Sequence, residues 1–148
     1  MATSSYVNTT APLSGAEAGL LAWAPRVLSI LRIVAALMFM AHGMQKLLGF
    51  PVAPPNGFPG VGSQLWIGGV IELVGGALLA LGLFTRSVAF LAAGMCAVAY
   101  FQYHGSSFFP IVNRGELAAL FCFVFLYFVF AGPGPWSLDA IFRGRRSA

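Results

Sequence analysis

Four long apolar stretches, separated by short segments rich in glycine and proline, most limit how this chain can fold. The stretches cover about residues 25–48, 64–84, 86–104 and 114–131. Hydrophobic residues make up 59% of the 148-residue chain, and charged residues only 8%. A bilayer core about 30 Å thick is crossed by roughly 20 apolar residues in a helix. We therefore predict an all-α fold, a polytopic membrane four-helix bundle with these stretches as its transmembrane helices.

Proline and glycine indicate where the first and last helices end. Pro25 suits the first turn of a helix, where its missing N–H is not needed. The run Gly132-Pro133-Gly134-Pro135 is expected to stop the last helix. We therefore predict one transmembrane domain over residues 25–148, with a short basic carboxy-terminal tail, preceded by a mobile amino-terminal arm over residues 1–24. The arm has no basic residue before its weak apolar part, which argues against a cleavable signal peptide.

The distribution of basic residues predicts the orientation in the membrane. Four crossings place both termini and the turn between the second and third helices on one side. That side carries Arg26, Arg86, Arg143, Arg145 and Arg146, whereas the other carries Lys46 and Arg114. Because basic residues are retained in the cytoplasm, we predict that both termini are cytoplasmic and that lipid is a partner. No basic run is long enough to suggest nucleic acid.

Several ionisable residues fall within or at the ends of the apolar stretches: Arg32, His42, Lys46, Glu72 and Glu116. An ionisable group at membrane depth costs several kcal/mol unless it is paired, hydrated or functional. These residues therefore indicate where the protein acts.

Glycines in the second helix predict which way Glu72 points. Gly68, Gly75 and Gly82 recur every seven residues, on the same face as Glu72. Because membrane helices associate through small residues, this face is expected to press against a neighbouring helix. The Glu72 side chain would then point into the bundle and away from lipid.

The ionisable residues have a structural and a functional interpretation. In the structural one, Arg32 pairs with Glu72 deep in the bundle, since a guanidinium binds a carboxylate through two hydrogen bonds. Lys46 or Arg114 would pair with Glu116 nearer the surface. The functional interpretation adds a pocket that opens toward the outer face, and the sequence leaves both open.

A quinone head group fits the functional interpretation best, because its carbonyls accept protons as they accept electrons. We assign catalytic roles to Glu72, His42 and Glu116. Substrate-binding roles are assigned to Arg32, Lys46, Phe39, Trp66, Tyr100 and His104. We predict no metal, because the i, i+3 Glu–His spacing of di-iron bundles is absent. Cys96 and Cys122 lack a CxxC spacing and are interpreted as buried small side chains.

The polar residues and their order resemble the DoxX family. The resemblance rests on Arg32, His42-Gly43, Lys46-Leu47, Glu72 with Gly75-Gly76 and Gly82, Asn113-Arg114-Gly115-Glu116, Gly132-Pro133-Gly134 and Ser137-Leu138-Asp139. It implies a small bacterial or archaeal protein of the cytoplasmic membrane, in a family that includes the DoxD-type subunit of thiosulfate:quinone oxidoreductase. It also implies that Arg32, His42, Lys46, Glu72 and Glu116 are family-like polar positions.

The resulting hypothesis is a quinone-interacting subunit of a redox or detoxification system. No flavin, nicotinamide or Fe–S motif is present in the sequence, so electrons are expected from a soluble or membrane-bound redox partner. Two alternatives stay open: a non-catalytic scaffold that recruits redox enzymes through the basic tail, and a small-molecule carrier. The glycine face in the second helix also allows a homo-oligomer.

Overall fold

The computed structural model describes residues 14–146, and the side chains of residues 14–144. All of the regular secondary structure in the described part is helical. Its elements are α1 (Gly15–Leu48), α2 (Gln64–Val70), a π turn (Ile71–Gly75), α3 (Gly76–Leu81), α4 (Thr85–Tyr103), α5 (Pro110–Asn113), α6 (Glu116–Ala131) and α7 (Leu138–Arg146). Helix α2, the π turn and α3 run on from one another over residues 64–81, and we call this segment the second rod.

Helix α1 begins well before the predicted start at Pro25, and that prediction is wrong. The Ser14 hydroxyl accepts a hydrogen bond from the Glu17 N–H, and the Glu17 carboxylate accepts one from the Ser14 N–H at 2.8 Å. This capping box satisfies free N–H groups at the helix start, so Pro25 lies inside the helix. Residues 15–24 of the predicted arm are therefore helical, and residues 1–13 lie outside the described residues.

The other helix ends lie within a few residues of their predicted positions. The second rod ends at Leu81 and not at about residue 84, because Gly82 takes a left-handed conformation (φ 68°) that closes the helix. Helix α6 begins at Glu116 and not at residue 114, because Arg114 is itself left-handed (φ 58°) after the short helix α5. The basic tail forms helix α7, which the sequence analysis did not predict.

Two helical pairings form the core. Helix α1 packs along the second rod, and α4 packs against α6 and contacts the π turn. At the centre the Phe39 ring meets Phe125 edge-on, with ring centroids 4.8 Å apart, and Phe125 stacks on Phe121 at 5.4 Å. Small side chains of α1 and α4 are also buried in this core: Ala35, Ala36, Ala89, Ala92 and Ala93.

The lengths and exposed surfaces of the helices are those expected of a chain in contact with lipid. Within residues 14–146, α1 and the second rod are long and apolar enough to cross a membrane, and α6 is a shorter apolar helix of 16 residues. At 1.5 Å per residue, α1 measures about 51 Å and exceeds the hydrocarbon core. Large apolar side chains are exposed on several helices, including Leu31, Met38, Phe90, Phe123 and Phe130.

Candidate functional site

A close crossing of α1 and the second rod positions the polar residues. A Cβ atom at Gly43 would lie 2.7 Å from the Gly69 carbonyl oxygen and 2.9 Å from the Leu73 Cα. A Cβ atom at Gly76 would lie 2.7 Å from the Met40 Cβ. Only glycine lets these backbones touch, as expected where helices associate through small residues. Of the three glycines predicted to pack, Gly75 has Val88 at 3.5 Å from its Cβ position and Gly82 lies against Ser137 and Arg32, whereas Gly68 has no atom within 4 Å of its Cβ position.

The crossing brings Lys46 to Glu72. The Lys46 Nζ donates to Glu72 Oε1 at 2.5 Å, with the Glu72 side chain 8% exposed and the Lys46 side chain 30% exposed. The predicted pair between Arg32 and Glu72 is therefore wrong, as is the predicted pair of Lys46 with Glu116. Lys46 lies one turn beyond the Gly43 contact and reaches Glu72 across the crossing.

The Glu72 carboxylate is only half satisfied. Its second oxygen, Oε2, is buried and has no hydrogen-bond partner among the described residues. A buried carboxylate oxygen without a donor is costly, so a ligand or a proton at this position would be stabilised. Glu72 also lies in the π turn, and such local widenings of a helix occur frequently at functional sites.

A cavity of about 660 Å³ adjoins the Lys46–Glu72 pair. Its polar lining comes from three of the helical segments and the α5–α6 connection: His42, Lys46, Gln64, Glu72, Tyr103, His104 and Arg114. The remaining wall is apolar, with Phe39, Met95 and Phe121 among its residues. The Phe121 ring also meets the His42 ring edge-on at 6.3 Å. Mostly apolar walls with a few convergent polar groups are typical of sites for small organic ligands.

Five of the predicted site residues line this cavity, namely Phe39, His42, Lys46, Glu72 and His104. The other four, Arg32, Trp66, Tyr100 and Glu116, do not. Glu116 is exposed in the first turn of α6, where a negative charge is favourable. It lies on a different face from the cavity-lining Leu117 and Ala118, and its predicted place in the pocket is wrong.

Asn113 fixes the part of the site that the sequence analysis missed. Its buried amide donates to the Ser107 carbonyl at 2.7 Å and accepts from the Gly115 N–H at 2.7 Å. The Asn113 carbonyl lies 3.0 Å from His104 Nδ1. These bonds hold His104 and Arg114 at the cavity. The run Asn113-Arg114-Gly115-Glu116 is the sequence signal for this part of the site.

Tyr100 belongs to the same local network and not to the cavity wall. Its hydroxyl donates to the Phe108 carbonyl at 2.9 Å and accepts from the Asn113 amide at 3.2 Å. Tyr100 therefore supports the connection between α4 and α6, and it does not line the cavity. Cys96 is buried, as predicted, and it also lines the cavity, whereas Cys122 is only partly buried.

Arg32 has a structural position far from the cavity. It is fully buried, and its guanidinium donates to four main-chain carbonyls: Leu79, Ala80 (2.8 Å), Pro133 (2.8 Å) and Trp136 (2.5 Å). The Leu79 and Ala80 carbonyls lie at the carboxy-terminal end of α3, where a positive charge is favoured. Arg32 thus joins α1 to the end of the second rod and to the segment before α7, and it does not line the cavity.

The described residues form an all-helical fold with long apolar helices, an ion pair between two helices and a mostly apolar cavity, which places the protein in the class of small helical membrane proteins. The family model for DoxX matches residues 27–105, which include all five predicted residues that line the cavity. The chain therefore belongs to the DoxX family.

One relative has no described function of its own. An uncharacterized protein of Haemophilus influenzae is 51% identical over 120 residues, covering 78% of this chain and 90% of that protein. No solved structure matches the chain.

Proposed function

We propose that this protein is a membrane-embedded, quinone-interacting subunit of a redox or detoxification system. The observation that carries the proposal is the buried Lys46–Glu72 pair beside an apolar cavity, with Glu72 Oε2 left without a donor. This pair combines a proton donor and a proton acceptor at the wall of a space of about 660 Å³.

The cavity residues match the chemistry of a quinone head group. His42 and Lys46 supply donors for a quinone carbonyl, and Phe39 and Phe121 supply flat apolar surfaces. Reduction of a quinone to a quinol takes two electrons and two protons. In the proposal a partner redox protein supplies the electrons, and the Lys46–Glu72 pair passes protons to the head group.

In the membrane, α1, the second rod, α4 and α6 would cross the bilayer as a four-helix bundle. Arg26, Arg86 and Arg143 lie at one end of these helices, and Lys46 and Arg114 lie at the other. The positive-inside rule favours cytoplasmic termini in the inner membrane. The cavity would then lie in the outer half of the bilayer, where His104 and Arg114 would connect it with water.

Quinone binding tests the proposal directly. In detergent-solubilised protein titrated with a short-chain ubiquinone analogue, we expect His42→Ala to weaken binding about two- to tenfold, since an ordinary hydrogen bond contributes about 0.5–1.5 kcal/mol. Glu116→Gln is the matched control, because Glu116 is ionisable and exposed outside the cavity. Unchanged affinity in His42→Ala would refute a head group at this position.

Proton transfer needs a separate readout. When the bound analogue is reduced chemically, Glu72→Gln is expected to slow quinol formation while Glu116→Gln leaves its rate unchanged. Reduction at the natural rate in Glu72→Gln would remove the proton-relay role.

A scaffold function is tested in the same preparation. If the natural protein binds no quinone but retains a soluble redox enzyme until residues 136–148 are deleted, the scaffold function replaces the proposed one.

A further inference from the structure

A second cavity lies at the opposite end of the molecule from the first. It has a volume of about 580 Å³ and is formed by α1, the start of α4, the end of α6 and α7. Its polar lining includes Arg86, Arg143 and Tyr127, and its apolar lining includes Pro25, Leu28 and Pro133. The proposed quinone site uses none of these residues.

Contacts with the end of α6 hold Arg86 beside this cavity. Its Nη1 donates to the carbonyls of Val129 and Phe130, the latter at 2.8 Å. Gly132 leaves room for the guanidinium, since a Cβ atom there would lie 3.1 Å from Arg86 Nη2. The side chain is thus fixed through one nitrogen, while the remaining face of its planar group stays exposed at the cavity.

Arg143 reaches the same cavity from α7. Its Nε donates to the Asp139 carbonyl at 3.4 Å, one turn earlier in the helix. The Asp139 carboxylate accepts from the N–H groups of Phe84 at 2.9 Å and Thr85 at 2.8 Å, and the charge of Arg143 also acts on it. Two arginines from different helices therefore face one cavity, and the nearby acid caps α4.

We infer that this cavity binds the phosphate head group of an anionic phospholipid. A guanidinium group binds phosphate through geometrically matched hydrogen bonds, and two such groups line this cavity. Tyr127 offers a hydroxyl for the glycerol or a phosphate oxygen. The apolar wall suits the first carbons of the acyl chains. The inference requires that the chain lies in a membrane, and it is independent of quinone binding.

Lipid binding is tested with the full chain in detergent micelles, using native mass spectrometry with phosphatidylglycerol and with phosphatidylcholine. We expect phosphatidylglycerol to bind at least about fivefold more tightly. Arg143→Gln should weaken phosphatidylglycerol binding about fivefold, the effect of one basic residue at an anionic surface. Arg26→Gln is the matched control, because Arg26 is an exposed arginine near the same end of the molecule and does not line the cavity. The affinity of this variant for phosphatidylglycerol should not change.

A second variant covers the case in which one substitution disturbs folding. Arg86→Gln is not used, because Arg86 also supports the end of α6. The second variant is Tyr127→Phe, which removes the hydroxyl and keeps the ring. It should weaken phosphatidylglycerol binding without changing the unfolding temperature. Equal binding of both lipids, or equal loss in Arg143→Gln and Arg26→Gln, would overturn the inference. Inorganic phosphate that competes fully with phosphatidylglycerol at equal concentration would also overturn it, because the site would then recognise a free anion.

Discussion

Lys46 and Glu72 are the residues on which the site depends. Glu72 is buried in a helical segment that exposes apolar side chains such as Leu65 and Val74 on its other side, and Lys46 is its ion-pair partner. Removing one partner of a buried pair leaves a charge without compensation, whereas removing both can be nearly neutral. Comparing the free energies of unfolding of single and double variants therefore separates the interaction between Lys46 and Glu72 from the contribution of each residue alone.

We expect Lys46→Met to lower the free energy of unfolding by about 1–3 kcal/mol, below the value for fully buried pairs because the Lys46 side chain is 30% exposed. The double variant Lys46→Met/Glu72→Leu should recover most of the loss. Thermal unfolding in detergent measures both, with Glu116→Gln as a control expected to change stability by less than about 0.5 kcal/mol. A double variant as unstable as the sum of its single variants would contradict the coupling.

At the level of the elements, the crossing of α1 and the second rod sets the distance between Lys46 and Glu72. Gly43→Ala would force a Cβ atom against Gly69 and Leu73 backbone atoms, which cannot rotate away. We expect a loss of about 1–3 kcal/mol, the usual cost of overpacking, together with lost quinone binding. Gly68→Ala is the control in the same rod, and since its Cβ has open space, its stability should be unchanged or about 1 kcal/mol higher. Equal effects of the two substitutions on thermal unfolding would argue against the close crossing.

The start of α4 depends on a carboxylate from α7. Phe84 precedes the helix in a left-handed conformation (φ 51°) and offers no side-chain cap. Asp139 supplies the cap, and Asp139→Ala should cost about 1 kcal/mol. Burial alone would raise the pKa of Asp139, but the N–H groups of Thr85 and Phe84 and the charge of Arg143 outweigh it and lower the pKa below 3.8.

This lowered pKa predicts a pH dependence of stability. The ionised carboxylate stabilises the folded state fully above its ordinary pKa of 3.8, and this contribution is lost as the pH falls through the lower pKa of the folded protein. Unfolding in detergent between about pH 2 and 6 should therefore show an acid loss that Asp139→Asn reduces. An identical acid profile in Asp139→Asn would assign the loss to other groups.

For the whole molecule, the proposed orientation is accessible to labelling. In a Cys96→Ala/Cys122→Ala background, single cysteines at Asn56 and Ser106 should react with an impermeant maleimide in intact cells. A cysteine at Gly144 should react only after the membrane is opened, since the basic end is expected in the cytoplasm. Labelling of the Gly144 position in intact cells would reverse the orientation and place the 660 Å³ cavity in the inner half of the bilayer.

The sequence by itself determined the helical stretches, the burial of Glu72 and the family. Each of these features depends on residues that are close together in the sequence. Apolar runs predict the helices, glycines predict where helices end, and the glycines around Glu72 predict that its face is packed. The early start of α1 was also readable in principle, since Ser14 and Glu17 form a local capping box. Pro25 suits a first helical turn equally well, and only the fold shows that it lies inside α1.

Only the tertiary structure decided which partner each charge takes. Lys46 meets Glu72 because the contact at Gly43 sets the register of two helices, and no pattern within either helix fixes that register. Arg32 binds main-chain carbonyls, which every residue carries and which become available only where α3 ends and the chain turns before α7. A long charged side chain has several possible partners when only the sequence is known. The packing of the backbones decides which partner lies within reach.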